Sequence, residues 1–216
     1  KLSVPVHRNS EFLHRLEERR VFKERLLLST CNRTEIYGVG EGERDVNETK
    51  RVLSEYAEID LARFEDKLYV YRQPTSIQHL FSVASGLDSM VVGETEIIGQ
   101  VKKAYFEAQE KGQTGKVLNA LFQRSFKVAK DLRTQTGVGS GHVSVASVAV
   151  DLAAKIHANL KGVRVMVLGT GTMAAQVAKA MVSKGAYPVV VSSRHFERAE
   201  ALAESLGGEA MRFEHY

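Results

Sequence analysis

A single cysteine, Cys31, is all the thiol this 216-residue chain carries, so no intrachain disulfide framework forms and the fold has to rest on a packed core. The seven histidines form no cluster with zinc-ligand spacing, and no metal site is expected. No apolar run approaches the roughly 20 residues needed to span a bilayer. Lys1 does not open a basic, then apolar, then small-residue leader. Secretion and membrane insertion are therefore disfavoured, and a cytoplasmic setting is the expectation. Internal repeats and low-complexity segments are absent as well. With 44% hydrophobic and 26% charged residues, disorder and collagen-like repeats are excluded, leaving a globular chain of one or two domains.

The net charge of +4 hides an uneven distribution: +1 over residues 1–50, −4 over 51–100, +5 over 101–150 and +2 thereafter. In the basic third block, Lys116, Arg124, Lys127, Lys130 and Arg133 fall on the polar side of a helix whose apolar side holds Val117, Leu118, Leu121, Phe122, Ser125 and Ala129. Two readings stay open: an ordinary solvated face, or a phosphate-attracting stripe that supplies salt-sensitive affinity without sequence choice.

Along the chain, a charged helical pattern covers residues 1–25, with Phe12, Leu13 and Leu16 at helix spacing. Leu26, Leu27 and Leu28 then run into the polar segment Ser29-Thr30-Cys31-Asn32-Arg33, which reads as a turn or strand end before the strand residues 35–39. Helices are predicted at 45–57 and 60–66, with a short strand at 68–71. Pro74-Thr75 opens a helix in which Ile77, Leu80, Phe81 and Ala84 make one stripe and His79 faces away from it. After a loop over residues 86–93, a helix begins near Glu94. There Ile97, Ile98, Val101, Ala104, Tyr105 and Ala108 share a face, and Glu96 and Gln100, four apart and off it, can converge on one spot. Residues 137–141, rich in glycine, read as a hinge or a close-approach loop. A helix over 144–157 precedes the apolar run 163–168, the pattern of a strand buried on both faces of a parallel sheet. The domain boundary is placed at 158/159.

Two constellations carry chemistry. Gly169-Thr170-Gly171-Thr172-Met173-Ala174 follows the apolar strand and opens a helix, which is the dinucleotide fingerprint with Ala at its third glycine position. The first glycine permits the tight turn, the second lets the backbone approach a pyrophosphate, and the helix N-terminus receives the negative charge. About 20 residues on, where an NAD-binding chain places an acidic residue, stand Ser193 and Arg194. A hydroxyl and a guanidinium suit the 2′-phosphate of NADPH. The second constellation surrounds Cys31. As a lone cysteine it reads either as a small buried hydrophobe or, among the polar Thr30, Asn32 and Arg33, as a thiol in a substrate-facing turn, where a neighbouring Arg favours the thiolate. His79 stays open between an exposed helix residue and a site residue. Together, a thiolate that captures an acyl group as a thioester and a nicotinamide that delivers hydride would yield an aldehyde.

The stretch from Leu28 to Tyr37, His79-Leu80-Phe81, and the run from Ser85 to Gln100 (SGLDSMVVGETEIIGQ), followed by the glycine fingerprint, resemble the glutamyl-tRNA reductase family over essentially the whole chain. The resemblance implies NADPH-dependent reduction of glutamate esterified to its tRNA, giving glutamate-1-semialdehyde and free tRNA, the first step of five-carbon tetrapyrrole synthesis. It implies that Cys31 is the nucleophile that forms the glutamyl thioester, and that His79 matters for activity. Thr30, Asn32, Arg33, Ser89, Glu94, Thr95, Glu96 and Gln100 would bind the glutamyl moiety, with the Arg33 fork suited to its side-chain carboxylate. Members of that family begin with a further strand and turn and continue through the rest of a nucleotide domain, a long helix and a dimerisation domain. The expected fold is therefore an α+β catalytic domain over residues 1–158 and an incomplete α/β Rossmann-type domain over 159–216. A homodimer in the full-length enzyme and hand-over to glutamate-1-semialdehyde aminomutase are the further partners implied. Two rivals remain at this stage: a tRNA-binding or regulatory module with NADPH as a structural ligand, and a cysteine-dependent acyl reductase acting on a free phosphorylated substrate.

Overall fold

The computed structural model describes residues 9–139, 144–192 and 195–215, and the chain divides into two compact units, Lys1–Gly139 and Ser140–Tyr216.

The first unit is organised by a β-hairpin. β1 (Glu24–Ser29) and β2 (Thr34–Val39) pair antiparallel, with Leu26 opposite Tyr37, Leu28 opposite Glu35 and Ser29 opposite Thr34. Successive strand side chains point to opposite faces, so the leucine run of β1 serves two cores. Leu27 joins Phe12 and Leu16 of α1 (Asn9–Glu18) and Val52 and Tyr56 of α2 (Glu43–Ala57). Leu26 and Leu28 join Leu80 of α3 (Thr75–Ala84), Val101 and Tyr105 of α4 (Glu96–Glu110) and Phe122 of α5 (Lys116–Gln135). The Glu24 carboxylate accepts the N–H groups of Val117 at 3.1 Å and Leu118 at 2.7 Å, setting a negative charge against the positive end of α5.

Two predicted elements of this unit differ. In place of a helix at 60–66 stand two single 3₁₀ turns, Leu61–Arg63 and Glu65–Lys67, separated by the buried Phe64. The Asp60 side chain accepts the Ala62 N–H at 3.0 Å, which favours the tight turn over a continued helix. Residues 68–71 pair with no strand among the described residues. The rings of Tyr69 and Tyr71 instead pack on His79, with centroids 5.5 and 5.0 Å away, so side-chain contacts hold this extended segment without a ladder.

The loop over residues 86–93 is closed at its neck by the Gly93 N–H, which donates to the Gly86 carbonyl at 2.9 Å. Both glycines have positive φ, and a Cβ on Gly93 would lie 2.7 Å from the Gly139 nitrogen. Gly139 is thus a close-approach residue, while Ser140 and Gly141 of the glycine-rich segment lie outside the described residues.

The second unit is a three-stranded parallel sheet in the order β3 (Arg164–Leu168), β4 (Tyr187–Ser192), β5 (Glu209–Arg212). The connecting helices are α7 (Thr172–Val182) and α8 (Phe196–Ser205). The unit begins with α6 (Val145–His157), which carries a capping box between Ser144 and Ser147 and whose Val150 packs with Met181 of α7. The break between compact units therefore comes ahead of α6, earlier than the 158/159 boundary, because Val150 of that helix is buried with Leu160, Met181 of α7 and Ala186 inside the second unit. The expectation that residues 163–168 are buried on both faces also fails. β3 is an edge strand of the described sheet, and Met166 and Leu168 are about half exposed while Val167 is buried. The mixed class stands: α+β first, then an α/β unit carrying three strands of a doubly wound sheet.

Candidate active site

The β1–β2 connection is the four residues Thr30, Cys31, Asn32 and Arg33. The Thr30 N–H donates to the Arg33 carbonyl at 2.8 Å, and its hydroxyl oxygen accepts the N–H groups of Asn32 at 3.2 Å and Arg33 at 3.1 Å. This locked turn leaves Cys31 and Asn32 exposed at the tip. Cys31 is not the buried hydrophobe that a lone cysteine could have been.

Behind the tip lies a buried carboxylate. Glu35 has 5% of its side chain exposed. Its Oε1 accepts from Tyr69 Oη at 2.6 Å, from Arg33 Nη1 at 3.0 Å and from His79 Nε2 at 3.0 Å, and its Oε2 accepts from Tyr37 Oη at 2.6 Å. Burial pushes the Glu35 carboxyl up, but the hydrogen bonds from Tyr37, Tyr69 and His79, with the His79 charge, outweigh it and hold the group below the usual carboxylate range. Burial and then the Glu35 charge push the Tyr37 hydroxyl up; burial and then the hydrogen bond to Glu35 do the same for Tyr69. Both remain donors. An ionised carboxylate only accepts, so the His79 proton sits on Nε2 and a neutral His79 keeps the lone pair of Nδ1. The histidine that could have been a solvated helix residue has 16% of its side chain exposed and is fixed in orientation.

Arg33 joins this cluster to the 86–93 loop. Its Nη1 also donates to Asp88 Oδ2 at 2.9 Å, and its Nη2 to the Asp88 carbonyl. Burial pulls the Arg33 guanidinium down, and the Asp88 hydrogen bond with the Glu35 and Asp88 charges returns it above its ordinary value. Arg33 thus ties the hairpin turn to Glu35 on one side and to Asp88 on the other. In the same loop Ser89 Oγ donates to the Glu94 carboxylate at 3.0 Å, and Arg133 of α5 donates to the Glu94 carbonyl at 2.8 Å. Thr95, Glu96 and Gln100 open α4. Among the described residues Thr95 and Gln100 take no part in these hydrogen bonds, and both are exposed.

Sequence reasoning thus brings Arg33 and His79 to one cluster but misses its centre. Glu35 and Tyr37 lie on the same face of β2 and are both buried. A carboxylate at an inward strand position requires partners, and that alternation was the available signal. Asp88 and Tyr69, which come from loops, left no such trace.

In the second unit, Gly169 links β3 to α7 with φ 97°, a conformation that favours glycine. Gly171 is the N-cap of α7 and gives no side-chain cap. A Cβ on Gly171 would meet no protein atom within 4 Å, so internal packing does not require glycine there. A small residue that leaves the backbone open at an uncapped helix N-terminus fits a pyrophosphate. Thr170, Thr172, Met173 and Ala174 complete that turn, whereas Ser193 and Arg194 lie outside the described residues. No group of three or more His, Cys, Asp or Glu among the described residues is placed to hold a metal ion.

The family model described as glutamyl-tRNAGlu reductase, N-terminal domain, matches residues 1–136. The chain belongs to the glutamyl-tRNA reductase family. A second family model, shikimate/quinate 5-dehydrogenase, matches residues 151–216, which covers the glycine turn and parallel sheet. The glutamyl-tRNA reductase of Heliobacterium mobile is 41% identical over 214 residues, covering 99% of this chain and 48% of that protein. The Pelobacter propionicus protein of the same name is 44% identical over 195 residues, 88% of this chain and 44% of its own. The solved glutamyl-tRNA reductase from Methanopyrus kandleri superposes with a TM-score of 0.58 at 35% identity, over 95% of this chain and 51% of that one. The chain therefore spans about half the length of the family members it matches.

Proposed function

We propose that this chain carries the acyl-transfer site and the first nucleotide-binding segment of an NADPH-dependent glutamyl-tRNA reductase. Its products would be glutamate-1-semialdehyde and free tRNA, at the start of tetrapyrrole synthesis. One observation carries the reading: an exposed thiol at the tip of a locked hairpin, two residues from an arginine that shares a buried glutamate with a histidine.

In this mechanism the Cys31 sulfur attacks the glutamyl ester carbonyl. The C–S bond forms, the C–O bond to the terminal ribose breaks, and the ribose oxygen leaves with a proton. His79, with Nε2–H held by Glu35 and Nδ1 left basic, is the group suited to take the thiol proton and return it to that oxygen. Arg33 selects glutamate by offering its fork to the side-chain carboxylate, which competes with the half-exposed Asp88 while Glu35 stays in place. Thr30 holds the turn. Asn32, Ser89, Glu94, Thr95, Glu96 and Gln100 offer the polar groups that would hold the glutamyl amine and carbonyl. The turn from Gly169 to Ala174 would hold the pyrophosphate of NADPH, and Ser193 and Arg194 its 2′-phosphate. Held there, the cofactor would supply the hydride chemistry that turns the acyl group into the aldehyde, with the C–S bond breaking and Cys31 regained as the thiolate. With this reading go a cytoplasmic homodimer and release of the aldehyde to glutamate-1-semialdehyde aminomutase.

The test uses glutamyl-tRNA without NADPH. Intact-mass analysis should find one glutamyl adduct on the wild-type chain and none on Cys31→Ser. A chain that binds the tRNA yet acquires no adduct overturns the thioester reading and favours a tRNA-binding module.

A further inference from the structure

Beyond the hairpin site, the first unit has a groove between α4 and α5 of about 500 Å³, lined by Ile98 and Lys102 from α4 and by Phe126, Lys127, Lys130 and Arg133, with Ala129 and Thr134, from α5. Four of its eight lining residues are cationic and none is acidic. Among the described residues Lys102, Lys127 and Lys130 make no ion pair, although lysines elsewhere in the unit do, as Lys50 with Glu65 and Lys103 with Glu107. Lys127, Lys130 and Arg133 recur every third residue, which puts successive side chains about 5–6 Å apart along the helix. Lys102 faces them from α4, its ammonium 5.7 Å from the Phe126 ring.

Lys102, Lys127 and Lys130 are exposed, yet cations from two helices converge on one concavity that Ile98 and Phe126 also line, and the resulting positive potential favours an anion carrying several negative groups. The groove also touches the site. Arg133 lines it, leaves its Nε buried without a partner, and donates through Nη2 to the carbonyl of Glu94, whose carboxylate holds Ser89. A phosphate on Arg133 would therefore be one side chain from the loop that faces Arg33.

We infer that this groove binds the phosphate backbone of the tRNA whose acyl end is delivered to Cys31. The inference rests on the glutamyl-tRNA reading above and adds where the RNA lies. Recognition there is electrostatic and indifferent to base sequence, so the turn at Cys31 and the fork of Arg33 carry the choice of amino acid.

The experiment measures binding of uncharged glutamate-accepting tRNA to the 216-residue chain by fluorescence anisotropy between about 50 and 200 mM salt. The triple variant Lys102→Gln, Lys127→Gln, Lys130→Gln should bind about tenfold or more weakly at the low end, with a salt slope shallower by about 2 to 3, since each phosphate contact contributes about 0.7 to 0.9. The matching triple arginine variant should bind as the wild type does, which separates lost charge from lost fold. A control triple, Lys23→Gln, Lys67→Gln and Lys111→Gln, removes the same net charge elsewhere in the unit and should leave affinity within about threefold. Equal losses in groove and control triples, or none in either, overturn the proposal. So does a groove triple that keeps tRNA but loses poly-glutamate, since the groove would then serve an acidic protein. Acylation of wild-type Cys31 by glutamyl-adenosine, a donor without an RNA backbone, is scored separately. If neither that donor nor glutamyl-tRNA acylates the thiol while the groove still binds tRNA, the catalytic reading fails and the groove stands.

Discussion

Glu35 accepts four hydrogen bonds from four different side chains while almost wholly buried, so its loss strands more than one donor. Glu35→Gln keeps the shape but replaces one acceptor oxygen with a donor and leaves Arg33 short of a counter-charge. It should cost about 2–4 kcal/mol at pH 7 by urea unfolding. Because Glu35 ionises at lower pH folded than unfolded, the unfolded chain takes up the proton first as pH falls. Its stabilisation is whole above the unfolded value of about 4.3 and disappears as pH falls through the folded value. Wild type should therefore lose stability more steeply than Glu35→Gln below about pH 4.3. Parallel pH curves for the two proteins would remove Glu35 as the source. At this scale the sequence was legible where polarity announced itself, as at Thr30, Cys31, Asn32 and Arg33. It was harder to read where a charge turned inward, since Glu35 passes by composition for a solvent residue and only its alternation with Tyr37 along β2 marks it as buried.

At the scale of elements, the 86–93 loop depends on the conformations of its glycines. Gly93 has φ 85° and its missing Cβ would collide with the backbone of Gly139. Gly93→Ala should lower stability by about 1–3 kcal/mol and loosen the contact between Arg33 and Asp88. Gly99, in α4 with open space around its Cβ, gives the opposite expectation. Gly99→Ala should be neutral or stabilise by up to about 1 kcal/mol, because only the unfolded chain loses freedom. Denaturant midpoints of the two variants on either side of wild type would bear this out, and equal shifts would contradict it. Helices α3 to α6 and the strand-turn-helix from β3 into α7 were legible because periodicity and glycine placement report local physics. The missing strand at 68–71 was not, since extended backbone with Tyr69 and Tyr71 satisfies strand propensity whether or not a partner strand is present. The exposure of Met166 and Leu168 was equally hidden, because an apolar run does not state how many neighbours its strand has.

At the scale of the molecule, the first unit has two apolar clusters, one on α1 and α2 and the other on α3, α4 and α5, and β1 contributes Leu27 to the former and Leu26 and Leu28 to the latter. Neither cluster can be completed while that strand is out of place. The two therefore melt as one cooperative body rather than as separate foldons. Leu27→Ala, a truncation in the α1–α2 cluster, should cost about 2–5 kcal/mol. In native-state hydrogen exchange, the slowest amides of α4 and α5 should lose as much protection as those of α1 and α2, although the substitution touches only the latter pair. Loss confined to α1 and α2 would mean that the clusters open independently. Shared loss means that the turn bearing Cys31, which grows directly out of β1, keeps its shape only for as long as the whole unit remains folded.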